Sequence, residues 1–375
     1  MKILHTSDWH LGHTLYNYDR TVEQQAFLRQ LTRIVTEEQP DAMVVSGDIY
    51  HYSSPAAATQ KMYTDAMLNI HQACPEMTIV VTAGNHDSSS KLEIDSNLWQ
   101  HFGLNVVGNI ERTAEEVNLD KHIIEINNEK KTKGYVIAVP HVYPQNFPLL
   151  DTETPRDQRQ ARFFQALLDE VKKRNTAQLP VVLMAHLSIE GSDRSGHDES
   201  IGGIEYVPLS AMGEGYDYLA LGHIHCPRDI KGSHHHARYC GTPLPVSFDE
   251  TYPHSVSIIE LEKGAEPQIS TREIENPIPL VTLPHDPTPF EDALKLLEEY
   301  PEEKPAYLRL NVLTKGYLPP DCNEKASNAA KGKACKYCYI KTTRERQADT
   351  DESKPISIQE MQEMSPLEIA RLYYR

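Results

Sequence analysis

Gly84-Asn85-His86-Asp87 follows an apolar run at residues 79–81 that reads as a buried strand. Four more blocks repeat the arrangement. Asp8-Trp9-His10 follows Ile3 and Leu4, and Gly47-Asp48 follows residues 42–45. Ala185-His186 follows residues 181–184, and Gly222-His223-Ile224-His225 follows residues 218–221. A polar residue directly after a strand lies at the strand's carboxyl end. Five such ends on one edge make the place where open α/β sheets bind ligands. The gathered residues are two aspartates, one asparagine and four histidines, a set that suits two divalent metals sharing one carboxylate. Paired metals about 3.5–4 Å apart are a recurring means of cleaving phosphate esters.

The spacing assigns the ligands. In an extended turn, residues i and i+2 point the same way, so Asp8/His10 and His223/His225 can each act as a pair. We expect Asp8, His10 and His225 on the first metal, Asp48 bridging, and Asn85, His186 and His223 on the second. Asn85 offers a neutral oxygen and keeps the site open to an anionic phosphate. Imidazole, carboxylate and amide ligands together suit Mn²⁺, Fe²⁺ or Zn²⁺ better than Mg²⁺ or Ca²⁺. His86, next to Asn85, is the expected general acid, because histidine can carry and release a proton near neutral pH. His51, three residues after Asp48, is expected beside it, orienting His86, touching substrate, or bonding its own loop. One D-x-H alone means little; five blocks, each behind a strand, carry the reading. His5 and His13 flank the first block, and one of them is expected to line the site. His234-His235-His236 reads as an exposed hairpin, while His141, His197 and His254 are loop residues.

Composition sets the bounds. The 375 residues suit a large domain plus a smaller one. No apolar stretch approaches the ~20 residues that cross a bilayer. The opening residues turn polar too early for a signal peptide, so a cytoplasmic protein is expected. Six cysteines are too sparse for a disulfide scaffold and fit a reducing compartment. A net charge of −17 excludes a broadly basic, nucleic-acid-coating surface. A nucleic-acid substrate therefore requires metals, a local basic patch or a partner to offset phosphate repulsion.

Strand-like and helix-like patterns alternate through residues 1–262. Helices are predicted over 21–37, with a capping box from Thr21 and Gln24, over 56–71 and over 157–173. A hairpin is predicted from strands at 122–126 and 135–139, and a closing strand at 254–261. Residues 191–203 read as a polar, glycine-rich loop. Prolines crowd residues 275–289 and mark a boundary, beyond which a helix at 290–300 and a strand at 306–312 form a small α/β module. Three units result: a core over 1–275, a module over 276–346 and a tail over 347–375.

The blocks resemble the calcineurin-like metallophosphoesterase superfamily. Within it, His5-Thr6-Ser7-Asp8-Trp9-His10-Leu11-Gly12 and residues 239–250 (YCGTPLPVSFDE) are similar to the SbcD nucleases and to their archaeal and eukaryotic relatives in double-strand-break repair. The resemblance implies an α/β fold: a sandwich of two mixed β-sheets flanked by helices, with a small α/β capping domain and C-terminal helices. It implies a dimetal, usually manganese-dependent nuclease, with 3'-5' exonuclease action on double-stranded ends and endonuclease action on single strands and hairpins. It also implies a partner, the SMC-like ATPase SbcC, bound by the C-terminal helices, and a homodimer within a heterotetramer. Protein phosphatases of the superfamily carry an aspartate where this chain has His51. That aspartate orients the acid histidine, so the resemblance has His51 orient His86 or contact DNA.

Cys335-Lys336-Tyr337-Cys338, with Cys322 upstream, offers three zinc ligands and no obvious fourth, so reduced thiols are the simpler expectation. Lys325, Lys331, Lys333, Lys336, Lys341, Arg344 and Arg346 make a basic run in an acidic chain, the best candidate for a DNA-facing patch. Two other readings compete with the DNA nuclease. One is a phosphoesterase acting on small-molecule or phosphoprotein substrates. The other is a non-catalytic scaffold, against which the intact ligand set and His86 argue.

Overall fold

Alternation along each strand sets the layers. In the strand Lys2–Thr6, Ile3 points into the space between two sheets and Leu4 points under helices. The strand Ala42–Ser46 does the same, with Val44 facing the partner sheet and Met43 and Val45 facing helices. The computed structural model describes residues 1–112, 117–128, 131–151, 153–190 and 206–344.

The first sheet runs in the order Gln268–Glu273, Ser255–Glu260, Lys2–Thr6, Ala42–Ser46, Thr78–Thr82, Leu104–Val107. Its last four strands are parallel and the first two antiparallel. The second runs Arg228–Asp229, Ala237–Tyr239, Tyr218–Gly222, Val181–His186, Lys131–Ala138, Ile123–Asn128, with both edge strands antiparallel to their neighbours. Val80, Val136, Val182, Met184 and Ala220 fill the layer between the sheets. Helices Thr21–Glu38 and Ala57–Ala73 cover the first sheet with Phe27, Leu31 and Met67. Helix Arg159–Arg174 covers the second with Phe163, Phe164 and Leu167. The result is the four-layer sandwich that the family resemblance implied.

Two local expectations are corrected. The helix at 21–38 has no side-chain cap, and Gln24 is spent elsewhere: its Oε1 accepts the Gly12 N–H at 3.1 Å and its Nε2 donates to the His10 carbonyl. The proline-rich stretch at 275–289 contains a strand, Leu280–Thr288, rather than a mere linker. It lies at the edge of a three-stranded parallel sheet with Tyr307–Thr314 and Lys336–Arg344, and an edge strand tolerates proline. Helices Phe290–Glu298 and Cys322–Ala330 complete this small α/β cap.

Three of the cap's cations are engaged within the cap, and Lys341 reaches Asp249 of the core at 3.5 Å. Lys333 Nζ donates to the carbonyls of Leu297, Glu298 and Tyr300 at a helix end. Lys325 pairs with Asp321, and Lys336 lies over the Tyr307 ring. Arg346 lies outside the described residues. Cys322 and Cys335 pack into the cap's apolar core, while Cys338 joins Tyr18 and Tyr307 at the core-facing side. No metal-competent cluster among the described residues includes a cysteine. No described helix is long and apolar enough to cross a membrane. The loop predicted at 191–203 and the tail at 347–375 lie outside the described residues.

Candidate metal centre

The loops behind the strands are zipped together by their backbones. Asp8 N–H donates to the Gly47 carbonyl, His10 N–H to that of Asp48, and Leu11 N–H to that of Ile49, all at 2.9–3.0 Å. Asp87 fastens a third loop, its carboxylate accepting the N–H groups of Ile49, Tyr50 and Gly84. The approach is close enough to require glycine. A Cβ on Gly84 would stand 2.2 Å from Asp48 Oδ1, and one on Gly222 would stand 1.9 Å from the Ser46 carbonyl oxygen.

All seven expected ligands converge. Asp8, His10 and His225 offer donor atoms within 4.8 Å of one another, as do Asp8, Asp48 and His186. Asp48 stands between the two groups, with Oδ2 3.8 Å from His10 Nε2 and 3.5 Å from His186 Nε2. Asn85 Oδ1 lies 2.9 Å from His186 Nε2 and 3.0 Å from His223 Nδ1. His10 Nε2 and His225 Nε2 are 3.2 Å apart.

Hydrogen bonds behind the rings decide which nitrogen faces inward. His186 Nδ1–H donates to the Ser46 carbonyl at 2.8 Å, turning Nε2 toward the site. His225 Nδ1 meets Glu250 Oε1 at 3.0 Å, which likewise turns Nε2 inward. Fixing one ring nitrogen so that the other ligates is the usual support behind a metal-binding histidine. Sequence reading missed Glu250, whose side chain is fully buried. It lies inside the quoted stretch YCGTPLPVSFDE, and a carboxylate ending that apolar run was the available signal.

The charges fit a cation. Burial works against the Asp48 carboxylate, but the His186, His10 and His86 rings outweigh it and hold the group well below its usual range. Burial, with help from Asp48, pushes Asp8 up. Burial opposes a proton on His186, yet Asp48 and Asp8 raise it to about 9. His10, by contrast, is held well below its usual value by burial and stays neutral. Two buried carboxylates thus draw positive charge to a place lined by inward-facing imidazole nitrogens, and the donor set fits divalent metals.

His86 and His51 sit on one rim of this cluster. His86 N–H donates to Asp48 Oδ1 at 2.9 Å, and its Nδ1–H donates to the His51 carbonyl at 2.9 Å. The two rings stack at 5.2 Å, and His51 Nδ1 lies 3.4 Å from His10 Nδ1. His51 therefore meets His86 through both its backbone carbonyl and its ring. The His13 ring lies tilted against that of His51 at 4.5 Å, whereas His5 is buried between the sheets against Tyr218 and Ser46.

The calcineurin-like phosphoesterase family model matches residues 1–227. A second model, described as the Type 5 capsule protein repressor C-terminal domain, matches residues 276–375. The chain is 33% identical over 309 residues to the SbcD subunit of nuclease SbcCD from Rhodobacter capsulatus, covering 80% of this chain and 75% of that one. It is 31% identical over 277 residues to the SbcD subunit from Bacillus subtilis, covering 71% and 68%. Against the SbcD subunit from Escherichia coli K12 it is 26% identical over 387 residues, covering 100% and 92%. Likeness of this extent, on a sandwich whose loops gather divalent-metal donors, means that the chain belongs to the SbcD family of calcineurin-like phosphoesterases and is a metal-dependent nuclease.

Proposed function

We propose that the chain hydrolyses DNA phosphodiesters with two divalent ions, Mn²⁺ foremost, as the nuclease subunit of a cytoplasmic DNA repair and recombination complex. It acts as a 3'-5' exonuclease on double-stranded ends and as an endonuclease on single strands and hairpins. It works as a homodimer in a heterotetramer with an SMC-like ATPase bound by residues 347–375, while the cap at residues 276–346 shapes DNA access to the core at 1–275. The observation that carries the reading is the two-faced Asp48 carboxylate, with imidazole nitrogens at 3.5 and 3.8 Å on either side.

Asp8, His10 and His225 would hold one ion, Asn85, His186 and His223 the other, and Asp48 both. Bound there, the ions supply a water of lowered pKa and polarise the phosphoryl oxygen. The chain's own groups do the rest. Glu250 and the Ser46 carbonyl keep the imidazoles aimed. Asn85 adds a donor oxygen without further negative charge. His86 carries its Nε2 proton to the leaving oxygen as water attacks phosphorus from the opposite side and the P–O bond breaks. The bond from its Nδ1–H to the His51 carbonyl sets the ring for that transfer.

An end-labelled hairpin duplex, incubated with Mn²⁺, Mg²⁺ or EDTA, tests the reading. Mn²⁺-dependent cutting is expected. Hydrolysis of nitrophenyl phosphates or phosphopeptides with DNA left intact would sink it and favour a phosphoesterase for small-molecule or phosphoprotein substrates.

A further inference from the structure

Beside the metal centre lies a cavity of about 320 Å³ that the reaction described above does not use. It shares Gly84, Asn85 and Asp87 with the centre, and its far side is made by Asn109, Arg112 and Tyr143, with His141 in its lining. We propose that it is a subsite for one unpaired nucleotide of the DNA strand, next to the scissile phosphate. The proposal rests on the DNA nuclease reading.

Position comes first. An occupant that touches Asn85 is within one sugar–phosphate link of a phosphate held at the centre. Size comes second. Small-molecule sites run from about 300 to 1,000 Å³, so this one has room for a nucleoside and none for a base pair.

Chemistry is the third argument. Tyr143 is 41% exposed, and its ring stands edge-on to His141 at 5.1 Å, an aromatic face held ready for a base. His141 Nδ1–H donates to the His186 carbonyl at 3.1 Å, which makes Nε2 an acceptor. That Nε2 is buried and has no partner among the described residues. Arg112 is exposed and donates from Nη2 to the Asn146 carbonyl, which fixes its guanidinium at the outer end, suited to the next phosphate along the strand. Asp87 is spent on three backbone N–H groups and offers the ligand little. The subsite gives the enzyme a physical reason to prefer an unpaired strand.

The test uses the full chain with Mn²⁺. Its substrates are a single-stranded oligonucleotide, the same oligonucleotide with an abasic unit on either side of the cut, and bis(p-nitrophenyl) phosphate. Tyr143→Ala is expected to raise KM for the oligonucleotide about tenfold, with hydrolysis of the nitrophenyl diester unchanged and Tyr143→Phe close to wild type. One abasic position should cost the wild type a similar factor and cost Tyr143→Ala nothing more. Tyr143→Ala indistinguishable from wild type on the oligonucleotide, or equally damaged on both substrates, overturns the subsite. Inhibition of diester hydrolysis decides the point independently of DNA cutting. Deoxyadenosine monophosphate should inhibit about tenfold more strongly than deoxyribose 5-phosphate in the wild type and equally in Tyr143→Ala. Equal inhibition in the wild type overturns the subsite, while a wild type that leaves the oligonucleotide intact overturns the nuclease reading instead.

Discussion

Four of the seven candidate ligands sit on backbone that L-residues seldom adopt. Asp8, His10, Asp48 and His223 have φ values of 52, 46, 52 and 96°. Each such residue costs on the order of 1–3 kcal/mol, and the zipped loops hold them there. The arrangement spends stability to aim side chains, and the rim residues make this testable. His86→Ala should lower DNA cleavage by about 10²–10⁴-fold, the usual worth of a general acid, while calorimetry still finds two metals bound. Loss of metal along with activity would make His86 a ligand instead. Glu250→Gln should weaken metal binding by about 10–100-fold, because His225 loses the carboxylate that fixes its ring. Unchanged affinity would leave Glu250 only the turn it also bonds through the Val246 N–H.

At the scale of elements, a buried histidine makes part of the second sheet acid-sensitive. His122 precedes the edge strand Ile123–Asn128, is fully buried, donates Nδ1–H to the Ala138 carbonyl at 2.7 Å, and is lowered from 6.5 to about 4 by burial. The native chain keeps this ring neutral while an unfolded chain would protonate it. Its stability is therefore intact above pH 6.5 and is lost as pH falls from 6.5 towards 4, by about 3 kcal/mol at most. His122→Gln keeps a donor and cannot titrate, so its denaturant-measured stability should fall less over that window. An identical slope would assign the sensitivity to other groups. What was legible in the sequence follows from the same elements. A strand that ends in a ligand announces itself locally, and every ligand block could be read that way. The role of Glu250 could not, although its place at the end of residues 239–250 was visible, because it meets His225 from 25 residues away and only folding brings them together. The Leu280–Thr288 strand was hidden by its prolines, whose lost N–H bonds are tolerated only because it lies on an edge. Gln24 had the spacing of a cap, but the nearby His10 loop claimed its amide.

For the whole molecule, the cap's attachment to the core is a further point of control. Arg309 of the cap is 5% exposed, its Nη1 donating to Asp249 Oδ1 of the core at 2.8 Å and its guanidinium lying over the Phe248 ring at 5.1 Å. The Tyr16 and Tyr339 rings stack across the same seam, and Tyr18 Oη donates to the Tyr337 carbonyl. Arg309→Ala should destabilise the chain by about 2 kcal/mol, and calorimetry should show a lower midpoint with the cap melting earlier. A single unshifted transition would mean that the aromatic stack alone holds the cap. Metal should also stabilise the sandwich itself. EDTA is expected to lower the melting temperature, because ions that bind only the folded state raise its stability.

The ligand set is divided between the two sheets. Asp8, His10, Asp48 and Asn85 follow strands of the first; His186, His223 and His225 follow strands of the second. A ribosome finishes the first group within the opening quarter of the chain and the last of the second group only past residue 220. A growing polypeptide thus carries no working scissors until both halves have been made and have closed on each other.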